Sequence, residues 1–251
     1  AMEQELASVR ARLGRQWETD AAGSGLTGPW LSSQNPFRPK ETVASVRSAS
    51  VADIDGAVER AQAGFESWRR RSAEDRTAIL ERAAFEMARR RYELAAWEVF
   101  EVGKPWREAD ADVAEAIDFL RYYGAEMRRL STPARLGDRP GEMNYRVYGP
   151  RGIAAVIAPW NFPLAIPTGM VSAALATGNC VLFKPSERSP RMGQLLTDIL
   201  ISAGVPPGVL SCLPGGPEIG HALIAHPQIS TITFTGSKAV GLRILADAAT
   251  F

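Results

Sequence analysis

Between residues 144 and 251, short apolar runs alternate with helix-length stretches, and no other feature of the sequence restricts the fold as strongly. IAAVIAP, NCVLFKP, VLSCLPG and STITFTG each end in Pro or Gly. The segments 164–177, 189–203 and 217–225 lie between them, and a further helical pattern follows Ser237. A run that is apolar at successive positions suits a strand buried on both faces, and an intervening helix returns the chain for parallel pairing. The expectation is an α/β fold: a Rossmann-like parallel sheet with helices on both faces, preceded by a helical segment. NYRVYG, ended by Gly149-Pro150, reads as a strand ahead of that sheet. Sheets of this kind bind ligands beyond the carboxyl ends of their strands. Those ends hold Pro159-Trp160-Asn161, Lys184-Pro185-Ser186-Glu187, Gly215-Gly216 and Thr235-Gly236-Ser237.

Residues 51–130 read as helices. Ser50 with Asp53, and Ser72 with Asp75, each place a small hydroxyl to cap the first amides and an acid against the positive helix end. Ile79, Ala83 and Met87 recur at four-residue spacing, and Gly103 with Pro105 separates the second helix from the third. Glu98, Glu101 and Glu108 fall on helical or capping positions with nothing to pair them as a catalytic dyad. The first 50 residues carry one short helix pattern, then AAGSGLTGPWLSSQNPFRPK, which reads as loop with edge strands.

Charge and composition exclude several function classes. A net charge of +1 gives no electrostatic footprint for nucleic acid. No apolar run approaches the ~20 residues a membrane span requires. Two cysteines, Cys180 and Cys212, lie inside apolar strand runs and read as core residues, which fits a reducing cytoplasm. With His221 and His226 the only histidines, both in bland surface roles, no histidine-rich metal site is expected.

The strand ends admit two readings each. GxGxxG is absent, and FTGSKAVG is its nearest substitute. There the free amides and the Ser237 hydroxyl could meet a pyrophosphate, or Ser237 could simply cap an ordinary strand-to-helix turn. Gly241, one turn in, would let that helix pack closely on the sheet. Lys184 and Glu187 could hold the vicinal hydroxyls of a ribose, with the carboxylate repelling a 2′-phosphate, or could form a surface ion pair. Asn161 could donate its side-chain amide to an oxyanion, or could organise its own turn.

Taken in order, APWNFPL (158–164), GNCVLFKPSE (178–187), AGVPPGVLSCLPG (203–215) and ITFTGS (232–237) resemble the aldehyde dehydrogenase superfamily. EVGKPWREADADVAEAIDFLRYYGAEM (101–127) is similar to the branch that oxidises L-glutamate γ-semialdehyde, the open form of 1-pyrroline-5-carboxylate, in proline catabolism. The resemblance implies NAD as cofactor and a small aldehyde as substrate. It implies that Asn161 stabilises the tetrahedral oxyanion, that Lys184 and Glu187 hold the adenosine ribose, and that Gly236 and Ser237 contact phosphate. Ile157, Pro159 and Trp160 would wall the cofactor. LPGGPEIG is one residue shorter between its glycines than the family's usual form, so the place of Gly216 beside the adenine stays open.

The implied layout has an N-terminal helical part over 1–137, an oligomerisation-arm strand over 138–150 and a Rossmann-like NAD-binding part over 151–251. This is an incomplete aldehyde dehydrogenase fold, a homo-oligomer when full length. In the family the general-base glutamate and the nucleophilic cysteine follow later segments, so no turnover is expected of these 251 residues alone. The parent would be a monofunctional dehydrogenase or part of a proline oxidase fusion. The alternatives are another semialdehyde dehydrogenase, or a non-catalytic cofactor-binding or assembly module.

Overall fold

A computed structural model describes residues 1–18 and 25–250. Part of the Gly/Ser-rich stretch read as loop therefore lies outside the described residues. Helix α1 (Met2–Arg10) is followed by β1 (Arg15–Trp17), β2 (Trp30–Asn35) and β3 (Arg38–Arg47). These strands form a small sheet in the order β1-β3-β2, with β2 antiparallel and β1 parallel to β3. Strand β3 runs well past the expected loop, and its Val43, Ala44 and Val46 are buried.

Both expected helix starts form. Helix α2 (Val51–Arg69) opens with a reciprocal capping box between Ser50 and Asp53, and α3 (Ala73–Arg89) opens with Ser72 accepting from the Asp75 amide at 3.0 Å. One break was not expected. Arg90 ends α3 and starts α4 (Arg91–Glu101), leaving the helical pattern at φ −99° and ψ 15°. A turn made by an arginine carries none of the Gly or Pro signals by which such a break is read.

The expected break at Gly103 is present, and α5 (Trp106–Ser131) follows it. Gly103 has φ +72°, and a Cβ there would approach Phe37 and Pro36 at 3.1–3.4 Å. Both the backbone and the space thus select glycine.

Strands β4 (Ala134–Arg135) and β5 (Tyr145–Arg146) make a short antiparallel ribbon, so NYRVYG contributes only two residues of strand. The remainder alternates as expected: β6 (Ile153–Ile157), α6 (Ala165–Ala176), β7 (Cys180–Lys184), α7 (Pro190–Ser202), β8 (Leu210–Cys212), α8 (Pro217–Ala225), β9 (Ile229–Phe234) and α9 (Lys238–Ala248). The four strands are parallel in the order β8-β7-β6-β9.

Every residue of β6 and β7 is buried, while β9, at the sheet edge, is mostly half-buried. Trp68, Trp97, Phe183 and Leu120 are among the largest fully buried side chains, so the helical segment and the sheet share a continuous core. Among the described residues no helix is long and apolar enough to cross a membrane.

Register decides what this sheet presents. Ile157 pairs with Lys184 on one side and Phe234 on the other, and Phe183 pairs with Cys212. The strands therefore end level, and 158–161, 185–187, 213–216 and 235–237 emerge along one edge.

Candidate functional site

Along that edge lies a cleft of about 940 Å³. It is walled by Ile157, Pro159 and Trp160 at the end of β6 and just beyond it, by Lys184 and Glu187 at the end of β7 and just beyond it, and by Gly236 and Ser237 after β9. Asn161 also lines it and is exposed. The structure thus brings together all but one of the residues singled out from the sequence. Gly216 is the exception. It sits as the N-cap of α8, its amide donating to Glu218 Oε1 at 3.1 Å, and it is Pro217 and Glu218 that face the cleft.

Lys184 is the most constrained of these side chains. Its residue is 8% exposed, and its ammonium donates to the Gly215 carbonyl at 2.8 Å and the Pro185 carbonyl at 3.2 Å. An ammonium has three N–H donors, so one is spent on the turn before α8, one on the carbonyl that follows β7, and one remains for the cleft. Burial lowers the Lys184 pKa, and the charges of Glu187 and Glu218 oppose that shift. This group is an anchored donor in the cleft wall, not half of a solvated surface pair.

Ser237 fills the capping role, accepting from the Val240 amide at 3.3 Å. Capping does not exclude anion binding, because the hydroxyl proton and the other first-turn amides of α9 stay available. The first turn of α9 holds Lys238 and no acid, so no side chain there offsets the positive helix end. A Cβ on Gly241 would meet Phe234 at 3.1 Å, which is the close helix-on-strand approach expected of that glycine.

Sequence reasoning did not single out the helical wall of the cleft. Glu218, His221 and Ile224 line it from α8, and Val240, Arg243, Ile244 and Asp247 from α9. Their spacing of three and four residues puts each set on one helix face, a signal present in the sequence but indistinguishable there from a packing face. His221 Nδ1 lies 3.1 Å from Asp247 Oδ2 and ties the two helices together. His226 Nε2 lies 3.3 Å from Asp55.

Both cysteines are inert in this setting. Burial pushes the thiols of Cys180 and Cys212 up to about 12, so neither supplies a thiolate near neutrality. Among the described residues no group of acidic, histidine or cysteine side chains is placed to hold a metal ion.

The cleft can therefore bind an extended anionic, hydroxyl-bearing molecule, with the Asn161 amide at one end. Known proteins share this fold. The profile described as "Aldehyde dehydrogenase family" matches residues 27–251. A 1-pyrroline-5-carboxylate dehydrogenase of Geobacillus thermodenitrificans is 45% identical over 246 residues, covering 97% of this chain and 48% of that protein. The 1-pyrroline-5-carboxylate dehydrogenase 2 of Bacillus subtilis is 42% identical over 251 residues, covering 99% and 49%.

Among solved structures, the 1-pyrroline-5-carboxylate dehydrogenase from Thermus with bound NAD superposes with a TM-score of 0.95 at 43% identity, covering 98% of this chain and 48% of that one. Proline utilization A from Bdellovibrio bacteriovorus gives 0.94 at 41%, covering 99% and 26%. The chain spans about half the length of the curated relatives it matches. With this fold, this cleft and these matches, the chain belongs to the aldehyde dehydrogenase family.

Proposed function

We propose that the chain is the cofactor-holding half of an NAD-dependent aldehyde dehydrogenase that oxidises L-glutamate γ-semialdehyde to L-glutamate. The observation that carries this is the cleft at the level ends of β6, β7 and β9, with Lys184 and Glu187 in one wall and Asn161 beside Trp160 in another. NAD fits the residues present. Lys184, with its one uncommitted donor, and the Glu187 carboxylate suit vicinal ribose hydroxyls, and Glu187 disfavours a 2′-phosphate. Ser237 and the amides that open α9 suit the pyrophosphate, and the apolar face made by Ile224, Val240 and Ile244 suits the base. When bound, the nicotinamide accepts the hydride that leaves the substrate carbon.

Asn161 supplies the chemistry of this half. An exposed side-chain amide at the mouth of a cleft can donate to an oxygen that gains charge as the aldehyde carbon becomes tetrahedral. The nucleophilic cysteine and the general-base glutamate would come from the part of the family fold that these residues do not span. The same reading assigns 1–137 to the helical part of the cofactor domain, 138–150 to an oligomerisation arm and 151–251 to the NAD-binding part. Exposed Met143, Tyr145, Val147 and Tyr148 on and beside β5 favour the arm assignment, since they form an apolar surface suited to a second subunit.

The substrate follows from the likeness to 1-pyrroline-5-carboxylate dehydrogenases. The test is to follow NADH formation by a protein that carries this chain at its relatives' length. Preference for 1-pyrroline-5-carboxylate over simple aliphatic aldehydes is expected. Preference for another semialdehyde would overturn the substrate, and failure to form NADH with any aldehyde would overturn the dehydrogenase reading.

A further inference from the structure

Behind the Asn161 segment lies a buried charged cluster that the proposed chemistry does not use. Lys104, in the α4–α5 connection, is 9% exposed, and its ammonium meets Asp112 Oδ2 of α5 at 2.6 Å and Glu98 Oε2 of α4 at 3.5 Å. Its outward side faces an aromatic ring: Lys104 Nζ lies 4.1 Å from the centroid of Phe162, the residue after Asn161. The other oxygen of Asp112 accepts from the Ala165 amide at 2.7 Å. That amide opens α6, whose N-cap residue Leu164 offers no side-chain cap. The cluster therefore grips the segment between β6 and α6 twice, once at the Phe162 ring and once at the first amide of α6.

We propose that Lys104 is a positioning residue for Asn161: its ammonium, seated on Asp112 and Glu98, is the platform that fixes the Phe162 ring and with it the loop that presents the Asn161 amide. The meaning of this for catalysis rests on the role proposed above for Asn161. Burial, then the Asp112 charge, push the Glu98 pKa well above the ordinary carboxylate range. Neither α6 nor residues 158–164 bring a charged side chain to it. A cation is attracted to the electron-rich face of an aromatic ring, so the Lys104 ammonium holds the Phe162 ring against it. Phe162 is 41% exposed, so packing alone holds its ring weakly and the cation has something to add.

The test uses the 251-residue chain and reads no turnover, so it stands or falls apart from the dehydrogenase assignment. In the unaltered protein, the ring current of Phe162 is expected to move the Lys104 ε-methylene protons upfield, and ordinary shifts there would overturn the proposal. Phe162 is then labelled with fluorine. Lys104→Met alone strands the Asp112 carboxylate, so it is combined with Asp112→Asn, which keeps an oxygen for the Ala165 amide. In this double variant the fluorine resonance should lose its displacement from the denatured position, while Lys104→Arg, which restores a cation, should retain it. An unchanged resonance in the folded double variant, or its loss in both variants, would assign the ring position to packing of the lysine stem and contradict the proposal. If the double variant does not fold, the ε-methylene shifts and Lys104→Arg decide the matter.

Discussion

Lys184 joins two properties that rarely coincide, near-complete burial and a donor left over after its protein partners are satisfied. Lys184→Met should keep the apolar stem beside Gly220 and lose the donor. The expected outcome is NAD binding weakened by about tenfold or more, roughly 1.4 kcal/mol, read by calorimetry on a sample shown to be folded by circular dichroism. Glu187→Gln should narrow the gap between NAD and NADP, because the carboxylate that repels a 2′-phosphate is gone, and competitive titration with both cofactors checks this. Cys180 and Cys212, both pushed up to about 12, should resist alkylation at pH 8 in the native protein and react once it is denatured. At this scale the sequence was informative about which side chains matter and silent about how they are held. APWNFPL and NCVLFKP name Asn161 and Lys184, but only the fold shows that the Lys184 ammonium grips the Gly215 turn. For the same reason nothing local in the sequence singles out Lys104, since Glu98 and Asp112 reach it from two different helices.

Helix α7 shows how elements are fixed from a distance. Its amides at Arg191 and Met192 donate to the Glu101 carboxylate of α4 at 3.0 and 2.9 Å, and the Ser33 hydroxyl donates to the same group at 2.7 Å. Burial raises the Glu101 pKa to about 7, while these three bonds pull it down. A carboxyl whose folded pKa lies above its unfolded value binds its proton more tightly when folded. Its stabilising contribution is therefore full below about pH 4.5 and lost as pH rises through about 7, by on the order of 3 kcal/mol. Glu101→Gln should flatten that part of the pH–stability profile in denaturant titrations at fixed temperature. A profile for this variant as steep as the unaltered one would point to another group. Helix starts with local caps, Ser50 with Asp53 and Ser72 with Asp75, were legible because capping spans only three residues. The Arg90 break and the α7 cap were not, because one lacks Gly or Pro and the other is set by a residue 90 positions away.

Across the whole molecule, the parallel sheet and the helical segment share one core, and level strand ends gather weak local signals into one cleft. Period and punctuation made the order of strands and helices readable in 151–251. The helical wall from α8 and α9 was hidden because a cleft-facing stripe and a core-facing stripe have the same spacing. No thiolate is available among the described residues near neutrality, since both thiols are buried and pushed up to about 12. Mixed with NAD and 1-pyrroline-5-carboxylate, the 251-residue chain should accordingly form no NADH. Cofactor binding is a separate matter, because the cleft is built from the described residues alone. Titration of the folded chain with NAD in a calorimeter measures it most directly. Saturable heat at one site per chain, diminished by Lys184→Met, is the predicted result, and a folded chain that gives no heat at millimolar NAD would contradict it.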